Sequence, residues 1–443
     1  MSMSRTNQIG LAWILLASGI SIWWGFSVGQ NGTGWVDFRA VYYGTRCLLL
    51  HHNPYKQSEL EGVYRAEGGE RPAETLSAHQ AVVLYVNVPT SFIVVAPFAM
   101  LPWGPAHMLW LALTAGVFIL AALLMWNLGA IYAHDVSLFL IFILLVNSEI
   151  LFSNGNLAGI AISLCVVAVW CFLKQRFALA GILCLAVSLA IKPHDAGLIW
   201  LYFLLAGGVY RKRALQTLFA VAVLGLLAIL WVSHVAPHWM PELYSNLSAT
   251  SARGGISNPG PTSMSIHNPD RIIDLQTVIS VLRDDPRIYN PASYLVCGTL
   301  LLVWSVRTLR SRVSQHGIWL ALAAIAALSM LPIYHRSYDA KLLLLTIPAC
   351  AMLWAEGGPV AWIALLVNTA GIALTGDIPS AALIIISNRL HVDTAGSLGK
   401  IMTVVLMRPA PLILLVMSVF YLWAYLRRAV PDAESGMAQT LPA

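Results

Sequence analysis

Apolar runs of about 20 residues recur from one end of the chain to the other, each long enough to cross roughly 30 Å of hydrocarbon. Little else constrains the fold so tightly. In lipid every backbone N–H and C=O must be satisfied internally, which leaves helices and closed barrels. A barrel reads as short alternating segments, and none dominate here. The expected fold is all-α, a polytopic transmembrane helical bundle. With 58% hydrophobic residues, 10% charged residues and a mean hydropathy of +0.73, a soluble globule is excluded. The formal net charge of +6 does not indicate nucleic acid, because the basic residues form small clusters beside the spans and no continuous stripe.

Those clusters set the orientation, since Lys and Arg collect on the cytoplasmic side. They are Lys174 with Arg176, Arg211-Lys212-Arg213, then Arg307, Arg310 and Arg312, and Arg427 with Arg428. Placing all four inside predicts about 12 crossings with both termini cytoplasmic. The expected spans are 9–28, 84–101, 106–131, 157–173, 178–191, 196–209, 214–235, 292–306, 318–333, 341–355, 360–374 and 401–426. Residues 136–152, with Asn147 and Glu149, and the short run 381–386 fit no full crossing and read as re-entrant or interfacial. The first run follows Arg5, is too long for a signal-peptide core and lacks a clear small-residue cleavage site, so it reads as an uncleaved span.

The organisation expected is a single membrane domain over 1–430 and a short cytoplasmic tail over 431–443. The longest polar segments fall together on the outer side: the first loop, 29–84, with a surface helix, and a large loop, 236–291. Chemistry is therefore expected outside, on the periplasmic face of a bacterial inner membrane. Of the six cysteines, five lie in apolar runs and only Cys47 faces outward, so no disulfide framework and no CxxC metal pattern exists.

Five groups of residues stand at that outer face. Asp37 lies just past the first span, in an amphipathic stretch suited to the membrane surface; Asn53-Pro54-Tyr55 is expected to stop its helix. A charge there is a site hypothesis by default, against the plainer reading of a solvated loop residue, and an ionised Asp can take a proton from an alcohol. Lys192-Pro193-His194-Asp195 ends a span; Lys192 either snorkels to the surface or presents a cation to a phosphate, with His194 as a second donor. Tyr334 to Lys341 gathers His335, Arg336, Asp339 and Lys341, a density that favours an anion site over a solvated loop. Asn154-Gly155-Asn156 is a turn whose amides can also meet sugar hydroxyls. The stretch from Leu84 to Pro89, with Tyr85 and Asn87, enters a span from outside, where Tyr85 is at least an interfacial anchor.

Some motifs are missing. There is no GxxxxGK[ST] phosphate loop, no HExxH, no GxSxG and no DxD pair, since Asp284-Asp285 is adjacent. Nucleotide hydrolysis, zinc-protease chemistry and a metal-held nucleotide-sugar site are not expected. No metal and no cofactor is expected.

In this order the motifs resemble the GT-C glycosyltransferases. The order runs from Asp37 to Tyr42-Tyr43, Asn53-Pro54-Tyr55, Tyr85 four residues before Pro89, the Gly155-Asn156 turn, Lys192-Pro193, and His335 followed by Asp339. Within that group the chain is most similar to glycosyltransferase family 87, which contains polyprenol-phosphate-mannose-dependent α-mannosyltransferases. The resemblance implies a GT-C-like fold and transfer of a hexose or pentose from a polyprenyl-phosphate donor to a lipid or glycan hydroxyl. It implies Asp37 as base and inversion at the anomeric carbon. Lys192, His194, His335 and Arg336 are the expected phosphate site, and Tyr42, Tyr43, Asn53, Tyr55, Tyr85, Asn87, Asn156 and Asp339 the expected sugar contacts. Asn156 departs from the family, which tends to have Gln there. Two other classes fit the composition. A transporter or lipid-linked-sugar flippase also has many spans, although no repeated halves are visible. An oligosaccharide ligase or polymerase would use the 236–291 loop, with His238, Arg253, His267 and Arg271.

Overall fold

A chain with so little polar surface satisfies its backbone by coiling into helices, and α-helices supply nearly all the regular structure. The computed structural model describes residues 5–30, 34–69, 82–261, 263, 271–311, 314–390 and 396–427. His267, Arg312, Arg428 and the 431–443 tail lie outside the described residues. In order, the helices are α1 (Arg5–Gly29), α2 (Val36–Leu49), α3 (Gln57–Ala66), α4 (Thr90–Ala99), α5 (Trp103–Ala130), α6 (His134–Val146) and α7 (Glu149–Ser153). Then come α8 (Ala158–Leu173), α9 (Ala178–Ile191), α10 (Pro193–Ala206), α11 (Gly208–Val235), α12 (Trp239–Ser251), α13 (Leu275–Leu282), α14 (Pro286–Arg310) and α15 (Gln315–Ser329). A 3-10 helix (Ser337–Thr346) leads into α16 (Ile347–Glu356), followed by α17 (Gly358–Leu374), α18 (Asp377–Leu390), α19 (Ser397–Met402), a π-turn (Thr403–Met407) and α20 (Pro409–Arg427).

Among the described residues six helices are long and apolar enough to cross a membrane, or seven if α17 and α18, bent by 69°, form one broken span. Several apolar helices are only 10–17 residues long, among them α4, α8, α9 and α15. The expectation of about 12 crossings counted these as full spans. Of the two segments that fitted no crossing, the first is broken at its polar residues, and the second is continuous helix beyond the bend between α17 and α18. Asn147-Ser148 separates α6 from α7, and the 381–386 run lies inside α18.

The basic clusters converge at one end of the bundle. Arg213 donates to the Phe172 carbonyl at 2.9 Å, which brings the Arg211–Arg213 run to the end of α8 beside Lys174. Arg307 lies over the Tyr425 ring and Arg427 over Trp423, joining the last two clusters. Trp304 and Phe203 both pack on Tyr202, tying the pairs together.

α2 differs from a helix lying on a surface. Nine of its residues are buried, Phe38 stacks on Trp110 with ring centroids 4.8 Å apart, and Gly44 is pressed against Tyr85, where a Cβ would come within 2.5 Å of the ring. Nor does Pro54 end it. His51 adopts φ 59°, His52 N–H reaches the Cys47 carbonyl at 2.7 Å and His51 N–H the Leu48 carbonyl, a left-handed C-terminal cap.

Candidate active site

The first turn of α2 is held from below by the α7–α8 turn. Trp35 N–H donates to the Ser153 carbonyl at 2.7 Å, and the N–H groups of Asp37 and Phe38 both reach the Asn154 carbonyl at 3.2 Å. These are the donors a helix start leaves unpaired. Gly155 makes the approach feasible. It has φ 63°, and a Cβ there would lie 2.8 Å from Phe38 Cβ and 3.0 Å from the Trp35 ring. Trp110 Nε1 fixes the Gly155 carbonyl at 2.9 Å. Asn156 then donates from Nδ2 to Asp37 Oδ2 at 2.8 Å, while its own Oδ1 accepts from Ala158 N–H. The turn thus aims one amide at one carboxylate, and Asp37 itself is only half-buried.

A second cluster forms where α9 meets α10. Lys192 is the single residue between them, and Pro193 fills the first helical position, where its missing N–H costs nothing. Lys192 Nζ lies 2.5 Å from Asp339 Oδ1, 3.5 Å from Asp195 Oδ2 and 5.1 Å from the centre of the Tyr338 ring. Burial alone would lower the Lys192 pKa, but Asp195 and Asp339 outweigh it and hold the ammonium above the ordinary lysine range. His335 is fully buried, its Nδ1 is 2.9 Å from the Ile333 carbonyl and its Nε2 is 3.3 Å from Asp195 Oδ1. Burial favours the neutral ring, yet the Asp195 and Asp339 carboxylates raise the pKa. His194 Nε2 stands 3.7 Å from the same Asp195 oxygen, and the two imidazoles meet edge to face at 4.9 Å.

The segment carrying His335 is locked by the large loop. Ile273 N–H reaches the His335 carbonyl and Ser337 N–H the Arg271 carbonyl, both at 2.9 Å, around an isolated bridge between Ile272 and Arg336. Arg336 donates to Tyr334 Oη and, at 3.0 Å, to the Ile256 carbonyl. Its N–H caps the 3-10 helix on Asp339 Oδ2 at 2.8 Å. Asp274, one residue past this pairing, caps α13 by accepting from Thr277 N–H at 3.0 Å, and burial pushes its carboxyl up to about 7.

The expected phosphate residues Lys192, His194, His335 and Arg336 therefore converge. Asp37 joins them across Tyr338, whose hydroxyl lies in the field of Asp37 while its ring lies under Lys192. Most of the expected sugar contacts sit elsewhere. Tyr42 is buried and donates to the Leu101 carbonyl; Tyr43 is buried against Tyr64 and Trp103. Tyr55 donates to the Asn87 carbonyl, Tyr85 bonds with Ser91, and Asn53 donates to Glu242 at 2.6 Å. These groups build the packing between α2 and the elements around it. Asp339 spends one oxygen on Lys192 and the other on the helix cap.

Three residues at the centre were not singled out from sequence: Asp195, the point on which Lys192 and both histidines converge; Tyr338; and Tyr334. Lys341, read with the anion cluster, turns away from it. In a 3-10 helix residues two apart are separated by roughly 240°, so Asp339 and Lys341 address different neighbours. Lys341 Nζ bonds the Asn147 carbonyl, near Asp377 and Glu149. Asp377 Oδ2 accepts from Ile150 N–H at 2.9 Å, so this second buried cluster anchors α7.

The described residues thus form a bundle of apolar helices that holds a half-buried carboxylate beside a buried cluster of paired charges. The family model for glycosyltransferase family 87 matches residues 85–332, and the chain belongs to that family. It is a membrane glycosyltransferase of GT-C type. No curated protein and no solved structure matches the chain.

Proposed function

We propose that the protein moves a sugar from a polyprenyl-phosphate donor to a hydroxyl of a lipid or glycan acceptor on the extracytoplasmic side. One observation supports this most. A half-buried carboxylate, Asp37, and a buried cation, Lys192, flank the same residue, Tyr338. Family membership supplies the reaction class.

Asp37 takes the proton of the acceptor hydroxyl as its oxygen attacks the anomeric carbon. The bond from that carbon to the phosphate oxygen breaks, and polyprenyl phosphate leaves with the electron pair. A phosphate is a good leaving group, so no strong general acid is needed. Lys192, His335 and Arg336 stabilise the developing charge, an effect worth a few kcal/mol in a water-poor cleft. Attack opposite the leaving group inverts the centre. Asn156 keeps the Asp37 carboxylate aimed at the acceptor. The sidedness follows from the basic clusters at the other end of the bundle under the positive-inside rule.

The test is incubation of the purified protein with defined polyprenyl-phosphate sugars and an acceptor lipid extract, reading which donor is consumed. Consumption with a new glycolipid supports the proposal. Flux of an intact lipid-linked sugar across proteoliposomes without transfer would replace it with a flippase.

A further inference from the structure

The phosphate side carries a charge problem. Lys192 and Arg336 are balanced by Asp195 and Asp339, so the cluster is close to neutral before an anionic donor arrives. We propose that His194, Asp195 and His335 form a binding site for one divalent cation of the zinc type, placed to serve the donor phosphate. The role at the phosphate rests on the glycosyltransferase reading above; the site itself does not.

The ligand atoms of these three residues all lie within 4.8 Å of one another. Both imidazole Nε2 atoms approach the same carboxylate oxygen, Asp195 Oδ1, at 3.3 and 3.7 Å. Two ligands on one tetrahedral zinc, at metal distances of about 2.0–2.1 Å, stand about 3.3–3.4 Å apart. Lys192 faces the other oxygen, Oδ2, and leaves Oδ1 to the imidazoles.

A well-directed hydrogen bond does not account for this approach, although the carboxylate attracts the imidazole. Among the described residues neither oxygen of Asp195 accepts a hydrogen bond and His335 Nε2 makes none, although all three atoms are sealed from solvent. The 3.3 Å contact lacks the direction an N–H···O bond requires. The other ring nitrogen of His335 faces the Ile333 carbonyl at 2.9 Å, and a carbonyl only accepts, so Nδ1 carries a proton. Metal-bound histidines are held in this way, with the far N–H on a carbonyl and the near lone pair on the ion. Two histidines and one carboxylate are a zinc donor set that leaves a coordination position open for a water or a phosphate oxygen.

The test is metal analysis of the full-length protein purified in detergent. After chelator treatment, cobalt(II) is titrated as a spectroscopic probe and zinc(II) as competitor. We expect binding of about one equivalent per chain, with visible absorption of the intensity expected for a four-coordinate site of two imidazoles and one carboxylate. His194→Gln removes a ligand whose side chain is 28% exposed, so folding is expected to persist, and binding should weaken by at least tenfold. Asp195→Asn and His335→Gln should abolish binding, and Asp37→Asn should retain it. Equal cobalt affinity in the wild type and His194→Gln, or no stoichiometric binding by folded wild type, overturns the site. If chelated, metal-free protein still transfers sugar at the full rate, the ion has no part at the donor and the glycosyltransferase reading stands. Stoichiometric binding by a protein that transfers no sugar keeps the site and removes that reading.

Discussion

Asn156 donates a hydrogen bond from its amide to the carboxylate of Asp37 at 2.8 Å, across 119 residues of sequence. That bond sets the direction in which the carboxylate faces. The relation ranks the two residues: Asp37 performs the proposed chemistry and Asn156 aims it.

Asp37→Asn and Asp37→Ala are expected to lower transfer by about 10²–10⁴-fold, the range for loss of a general base, with folding and donor binding retained. Asn156→Ala should cost less. A hydrogen bond to a charged group is worth about 1.5–3 kcal/mol, or roughly 10–100-fold if all of it serves positioning. Single-turnover assays with saturating donor measure both. Near-native turnover in both Asp37 variants would sink the base assignment.

Gly155 holds the turn that feeds the Asn154 carbonyl to α2. Gly155→Ala meets a positive φ together with clashes against Phe38 and Trp35. A destabilisation of at least about 1–3 kcal/mol is expected. Thermal unfolding in detergent should show it, and the activity that survives should fall further than stability does, because Asp37 loses its backing.

Lys192 stands between two buried carboxylates, so Lys192→Met leaves uncompensated charge and is expected to cost about 3–5 kcal/mol. Adding Asp339→Asn removes half of that charge. The double variant should express better than the single one while remaining inactive toward polyprenyl-phosphate donors. Equal expression of the two would mean the ion pair carries little of the fold.

Asp274 offers a pH test outside the spans. Burial raises its folded pKa to about 7 from the ordinary 3.8, so the native state prefers the neutral carboxyl. Its stabilising contribution is complete below the unfolded pKa and is lost as pH rises through the folded value. Asp274→Asn preserves a good helix cap and cannot ionise. The variant should match the wild type near pH 4 and unfold at higher temperature than the wild type above pH 7. A wild type that gains stability over that range relative to the variant would refute the assignment.

Much of this was legible in the sequence. The helical membrane class followed from run length, and the family from the order of Asp37, Lys192-Pro193 and His335 with Asp339. What escaped depended on angles around a helix. The sequence reads 334–340 as a loop at a helix mouth, which groups Lys341 with Asp339; coiled into a helix, residues two apart face different clusters. Asp195 was visible beside His194, but its convergence with His335 joins residues 140 positions apart, which one sequence does not reveal. The tyrosines drew notice as polar aromatics, yet the core engages the hydroxyls of Tyr42, Tyr55 and Tyr85 and buries the Tyr43 ring: packing around α2 decides that, and local pattern does not.

The 3-10 helix has a mechanical consequence. Its 10 residues span about 20 Å, where an α-helix would cover about 15 Å. Runs of this length are uncommon. Arg336 and Asp339 hold the start of this one to Lys192, while Lys341, midway along it, grips the break between α6 and α7. The donor-side charges and the charges that anchor α7 are therefore joined by two residues of backbone, a link too short to absorb a displacement of either cluster.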